Sequence, residues 1–174
     1  MKPGEIVIRR GEMADIPWLP PIERAATARF RGHPAFASFW AQNFPPELFA
    51  QHVRTRTLWV VTIDDSPPVG LAFTSEIDGL AHLEEIDVHP DVAGKGVGSE
   101  LLEAVVAIAR VSGYEAITLS TLVDVKWNAP FYAKRGFRIL EPHELTPGLV
   151  RLQQREAAGG FPMHLRVIMR RELG

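Results

Sequence analysis

A strand that ends at a proline, a loop with alternating glycines and a helix that starts at once constrain this chain more than any other feature. The strand runs Leu80–His89. The loop reads Pro90-Asp91-Val92-Ala93-Gly94-Lys95-Gly96-Val97-Gly98-Ser99, and the apolar run Leu101–Val111 follows. Glycines let backbone N–H groups approach a ligand with no Cβ in the way. A helix start adds unpaired N–H groups and a partial positive charge. Together they make a site for an anion, and a pyrophosphate is the anion that suits them.

Spacing separates three kinds of loop that answer this description. A P-loop needs a glycine five residues before its Gly-Lys pair and Ser or Thr after the Lys. Here the pair is Gly94-Lys95, His89 stands at the earlier position and Gly96 follows, so that reading fails. A Rossmann fingerprint, G-x-G-x-x-G, finds Gly94 and Gly96 but meets Ser99 in the third place. Its acidic ribose ligand, about 20 residues on, would fall near Thr118–Thr121, where no acid stands. The third pattern is strand, then R/Q-x-x-G-x-G/A, then helix, and the chain has Ala93-x-x-Gly96-x-Gly98. This resembles the acetyl-CoA-binding motif of the GNAT N-acetyltransferases, with the first basic or amide residue missing. Further along, Trp127-Asn128-Ala129-Pro130-Phe131-Tyr132-Ala133-Lys134-Arg135-Gly136-Phe137 resembles the second GNAT hallmark, an Asn followed by a Phe-Tyr pair and Gly-Phe. The resemblance spans positions 58–141; the regions before and after match only in general layout.

The resemblance implies an α/β fold of GNAT type over a single domain, residues 1–174: a mixed, splayed β-sheet flanked by helices. The periodicities are consistent with this. Strands are expected at Ile6–Arg9, Leu58–Ile63, Val69–Ile77, Leu80–His89, Ala116–Leu122, Phe137–Leu140 and Leu165–Met169, from their β-branched and aromatic content. Helices are expected at Ile22–Phe30, Ala35–Asn43, Glu47–Arg54, Ser99–Ser112, Asn128–Arg135 and Thr146–Ala158. Leu101, Leu102, Val105, Ile108 and Ala109 form the stripe of the fourth, and Gly113 its C′ residue. In the strand before the loop, Leu83 is one residue out of phase with Ile86 and Val88. That slip predicts a β-bulge near Glu84-Glu85; the bland alternative is that Leu83 faces a second buried layer. The segment Pro142–Phe161 carries a partial apolar face of Leu145, Leu149, Leu152 and Ala157. It is expected to close one side of the acceptor site or to form a homodimer contact.

By resemblance, acetyl-CoA is the co-substrate. Val97, Gly98 and Ser99 would aim N–H groups at the pyrophosphate, with Ala93, Gly94, Lys95 and Gly96 lining it. The main-chain groups of Ile86 and Val88 would pair with the pantetheine arm like an added strand, and the Val88 N–H would polarise the acetyl carbonyl. Asn128 would bond the pantetheine or the adjoining phosphate region; the structural alternative is the N-cap of the Pro130–Arg135 helix, and the two roles are compatible. Tyr132 would protonate the leaving thiolate, as a phenol of ordinary pKa can at neutral pH; otherwise it is a half-buried aromatic. The base that takes the amine's proton is sought on the Leu80–His89 strand. Counting back from Val88, Glu84 comes first and His82 second, with Glu85 and water as alternatives; Asp87 and His89 rank lower.

Composition sets the outer bounds. A net charge of −2 gives no reason to expect nucleic acid or an anionic membrane as partner. With no cysteine, a disulfide scaffold, a thiolate zinc site and an acyl-cysteine intermediate are excluded. The remaining histidines, His33, His52, His143 and His164, lack metal-ligand spacing, and no metal site is expected. Met1–Glu5 lacks the apolar segment of a signal peptide, so a cytoplasmic location is expected. The expected activity is direct transfer of acetyl to a primary amine, on a small molecule or a peptide, within a ternary complex. A non-catalytic acyl-CoA sensor on the same fold is the alternative; a dinucleotide oxidoreductase would instead bind NAD(P).

Overall fold

The structure is a computed structural model that describes residues 4–42 and 44–174. Seven strands form one sheet: β1 (Ile6–Arg10), β2 (Leu58–Ile63), β3 (Gly70–Ile77), β4 (Leu80–Val88), β5 (Ala116–Leu122), β6 (Arg138–Ile139) and β7 (Arg166–Glu172). Their spatial order is β1-β2-β3-β4-β5-β7-β6. Every neighbouring pair is antiparallel except β4 and β5. The last strand therefore inserts between β5 and β6. It is longer than its apolar run suggests, because its polar C-terminal half still pairs with Ala116–Thr118.

Each face of the sheet is covered. On one face α4 (Val97–Val111) buries Leu101, Leu102, Val105 and Val106 against Trp59, Val61, Ala72, Ala81 and Leu83. Each such aliphatic side chain is worth about 1.5–3 kcal/mol when fully buried. The helix begins two residues earlier than the apolar run alone suggests, because Gly96 takes the N-cap position at φ 82°, a left-handed geometry that glycine adopts without steric cost. It ends in a Schellman pair: Tyr114 N–H donates to Ala109 O and Gly113 N–H to Arg110 O. On the other face, α1 (Leu19–Thr27) and α3 (Pro46–Arg54) cover Leu58, Val60, Leu71 and Phe73. The first helix starts at Leu19 with Pro20 and Pro21 in its opening turn, where their missing N–H groups cost nothing. A short α2 (Phe36–Ala41) follows. The expected helix over Ala35–Asn43 thus stops at Ala41, and Asn43 lies outside the described residues.

Two later helices complete the chain. The short α5 (Ala129–Ala133) carries Tyr132 into the α4-side core. In α6 (Pro147–Ala158), Leu149 packs with Leu140 and Ile168, flanked by Leu145 and Leu152. Of the apolar stripe noted in the sequence, Leu145, Leu149 and Leu152 pack within the chain, while Ala157 is exposed. Among the described residues no helix is long and apolar enough to cross a membrane.

Candidate active site

The site is built by a defect in β4. Asp78 and Gly79, both at positive φ, turn β3 into β4 with Ile77 opposite Leu80, the type I′ geometry of a two-residue hairpin. The register then runs to Thr74 opposite Leu83 and resumes at Phe73 opposite Glu85. Glu84 is the extra residue of a β-bulge, as the phase slip predicts. Leu83 on one side of the bulge and Ile86 on the other both pack on the α4 side, although they stand three apart. Beyond the bulge β4 leaves β5. The two strands pair only at Ala81–Ile117, His82–Thr118 and Leu83–Leu119. His89 N–H donates to Val69 O, so alternation turns the main-chain groups of Asp87 and Glu85 to β3 as well. Those of Ile86 and Val88 face the gap that β5 has vacated.

The gap opens into a cleft of about 510 Å³. At one end lies the glycine loop. Gly94 and Gly96 sit at φ 77° and 82°. Glu100 N–H is bonded to Gly96 O, so the N–H groups of Val97, Gly98 and Ser99 are the unpaired donors of the helix start. Ala93, Gly94, Gly96, Val97, Gly98 and Ser99 all line the cleft; Lys95 is exposed and does not. One residue of this wall was not singled out from sequence. Arg135 donates from Nε to Ser99 Oγ (2.9 Å) and from Nη1 to Phe131 O (2.9 Å), and its guanidinium lies 3.7 Å from the centre of the Phe131 ring. It brings to the helix start the cation that Ala93 lacks.

Across the gap stand Asn128 and Tyr132. Asn128 occupies the N-cap position of α5 without capping it. Its Oδ1 accepts from Thr121 Oγ1 (2.8 Å) and Leu122 N–H (3.4 Å), which leaves the Nδ2 donors for the cleft. Tyr132 is 8% exposed and lines the cleft. Burial, reinforced by the negative charge of Glu85 and Asp87, raises its phenol pKa, so it keeps its proton through the neutral range.

The bulge redistributes the strand's acids. Glu84 and Glu85 both reach the cleft, with Asp87 beside them. Glu84 is exposed at the rim and accepts from Ser75 Oγ. Glu85 and Asp87 are half-buried, lie within hydrogen-bonding reach of each other and face Glu23 of α1. Burial pushes Glu85 up to about 7, and burial together with Glu85 holds Asp87 well above the carboxylate range. Asp87 Oδ2 is buried without a hydrogen-bond partner among the described residues.

His82 is not brought to the cleft. Regular alternation back from Val88 puts His82 on the Val88 face, but the bulge reverses the phase, and Ala81 and Leu83 take that face instead. His82 is 2% exposed, its Nδ1 is 2.7 Å from Thr118 Oγ1, and burial lowers its pKa. It is a neutral tie between β4 and β5.

Comparison with known proteins agrees with this geometry. Residues 22–137 match the acetyltransferase (GNAT) family. This chain belongs to that family. It is 30% identical over 113 residues to YjcF, an uncharacterized N-acetyltransferase of Bacillus subtilis, covering 64% of this chain and 79% of that protein. Its fold is similar to that of the PaiA N-acetyltransferase from Thermoplasma acidophilum in complex with coenzyme A. The TM-score is 0.70 at 17% identity, over 97% of this chain and 99% of that one. It is also similar to N-acetylglutamate synthase from Neisseria gonorrhoeae complexed with coenzyme A and N-acetyl-glutamate. There the TM-score is 0.74 at 19% identity, over 99% of this chain and 36% of the larger one. The GNAT chain is an N-acetyltransferase, and acetyl-CoA-dependent N-acetyl transfer is its general activity.

Proposed function

We propose that this GNAT enzyme moves an acetyl group from acetyl-CoA to a primary amine by direct attack, with both substrates bound in the one cleft. The observation that carries the reading is the unpaired edge of β4, where Ile86 and Val88 turn their main-chain groups into a gap that runs from the glycine loop to Tyr132. Acetyl-CoA brings an acetyl group already activated as a thioester. The N–H groups of Val97, Gly98 and Ser99 hold its pyrophosphate, with the Arg135 guanidinium beside them. Ile86 and Val88 take the pantetheine arm by strand addition, Asn128 donates to it, and the Val88 N–H polarises the acetyl carbonyl.

Glu85 replaces Glu84 as the base in this reading. Glu84 is engaged with Ser75 at the rim, whereas Glu85 faces the Tyr132 side of the cleft and titrates near neutrality. A base so poised takes the ammonium's proton at working pH. As the C–N bond forms and the C–S bond breaks, Tyr132 gives its proton to the departing thiolate, and the second proton that the acylated nitrogen sheds restores the phenol.

The test is a turnover screen of acetyl-CoA against a panel of amines, read by release of free thiol, with acetyl-CoA binding measured by calorimetry. Binding with amine-dependent thiol release is expected. Tight binding with no turnover on any amine would replace the enzyme reading by that of an acyl-CoA sensor. No binding would remove the assignment of the loop.

A further inference from the structure

Opposite the carboxylates of β4, the wall contributed by β7 carries a cation with unused donors. Arg166 opens β7, pairs with Leu122 of β5 and lines the cleft. Its side chain is only 9% exposed. Nε donates to Glu156 Oε2 at 2.8 Å, and Ser120 Oγ donates to the same oxygen at 3.0 Å. The guanidinium stacks 4.7 Å from the centre of the Phe161 ring. Both Nη groups, four N–H donors, make no hydrogen bond to any described residue. A second guanidinium, Arg29, shares the same cleft; it is held over the Trp127 ring at 4.5 Å and likewise donates to no described residue.

A desolvated guanidinium clamped through Nε presents its two Nη groups as a ready fork for an oxyanion. Neither Nη group is among the buried atoms left without a partner, so with Nε held by Glu156 both open to the cleft, where a ligand can reach them. The charges are also ordered across the cleft. Glu23, Glu85 and Asp87 stand on the α1 and β4 side; Arg166, neutralised from behind by Glu156, stands on the β5 and β7 side. Arg166 is close enough for its charge to act on both Glu85 and Tyr132.

We infer that the acceptor is an amine that also carries a carboxylate a few bonds from the reacting nitrogen, an amino acid in chemical class, and that Arg166 binds that carboxylate. The inference rests on the acetyl-transfer reading and sharpens it. The ammonium faces Glu85 and Asp87, and the carboxylate faces the Nη fork. A polyamine would turn a second ammonium, not an anion, towards Arg166 and Arg29.

The experiment compares matched pairs, each amino acid with the amine left when its carboxyl group is removed, by kcat/KM with acetyl-CoA. The wild type is expected to favour the carboxylate-bearing member by at least tenfold, mainly through KM. Arg166→Gln should abolish that preference, and Arg166→Lys should keep part of it. Because Arg166→Gln leaves Glu156 buried without its partner, the double variant Arg166→Gln/Glu156→Gln is measured alongside, and unchanged acetyl-CoA affinity reports that each variant is folded. Equal or better use of the decarboxylated members overturns the inference, as does a preference that survives in Arg166→Gln or a failure to acetylate any amino acid. Wild-type binding of acetyl-CoA separates these outcomes from failure of the cleft assignment: turnover confined to amines without a carboxylate refutes the subsite and leaves acetyl transfer standing.

Discussion

Gly98→Ala separates ligand binding from folding at the glycine loop. Gly98 is the second residue of α4 and lies outside the left-handed region; an added Cβ meets only Val88 Cγ2, at 3.7 Å, an ordinary contact. The empty protein therefore gains rather than loses. Alanine is favoured over glycine in a helix by about 0.5–1 kcal/mol, and at ~2–4 °C per kcal/mol for a chain of this size the Tm should rise by about 1–4 °C. The same methyl group projects from the helix start, in front of the N–H groups assigned to the pyrophosphate. It should weaken acetyl-CoA binding by at least tenfold, about 1.4 kcal/mol. Gly96→Ala is the contrasting case: at φ 82° an L-residue costs roughly 1–2 kcal/mol, so stability and affinity should fall together. Thermal unfolding without ligand and calorimetry with acetyl-CoA read both quantities. A Gly98→Ala protein that is more stable and binds as the wild type does would refute the phosphate assignment. One that loses stability would show that the reasoning about the backbone is at fault.

Three further outcomes are expected. Tyr132→Phe should lower kcat by ~10²-fold with little change in acetyl-CoA affinity; full kcat across pH 6–9 in a pH–rate profile would reduce Tyr132 to packing. For Glu85, kcat/KM should climb as pH rises through about 7, and Glu85→Gln should remove that limb. The folded protein keeps the Glu85 proton up to about pH 7 while an exposed carboxyl releases it near 4.5, so this group makes stability fall as pH rises across that window. Urea melts at pH 5 and pH 8 should show a smaller difference for Glu85→Gln than for the wild type. Arg135→Ala should weaken acetyl-CoA binding by roughly 10–100-fold, the range for charge-assisted hydrogen bonds; an equal loss for acetyl-pantetheine, which has no phosphates to hold, would place the effect in the α5 turn instead.

The bulge, and the places of the glycine loop and Tyr132 beside one cleft, were legible in the sequence because each is a local signal. A glycine spacing, a one-residue slip at Leu83 and a motif position can all be read within a dozen residues. The acids could not be sorted in the same way. The bulge is visible as a break in phase, but its location at Glu84 decides which neighbours share a face, and that depends on how β3 pairs across the hairpin. His82 was grouped with Glu84 for this reason, yet it turns to Thr118. Arg166 and Glu156 left no local trace. Their meeting with Ser120 requires β7 to insert between β5 and β6, a long-range pairing that no periodicity within the last strand encodes. Arg135 was in view inside the second motif, and only the return of α5 against the start of α4 gives it Ser99 as a neighbour.

The three-rung junction between β4 and β5 bears on how the catalytic cycle ends. If a co-substrate lies along the vacated edge of β4, the main-chain groups of Ile86 and Val88, the loop donors and Arg135 all grip parts of the molecule that acetyl transfer leaves untouched. Free coenzyme A keeps the same phosphates and the same pantetheine amides, so the fold holds spent carrier almost as firmly as charged carrier. Discrimination between them rests on the acetyl group alone. Spent carrier then competes with charged carrier for the same grip, and the ratio of charged to free coenzyme A in its surroundings becomes a throttle on the enzyme.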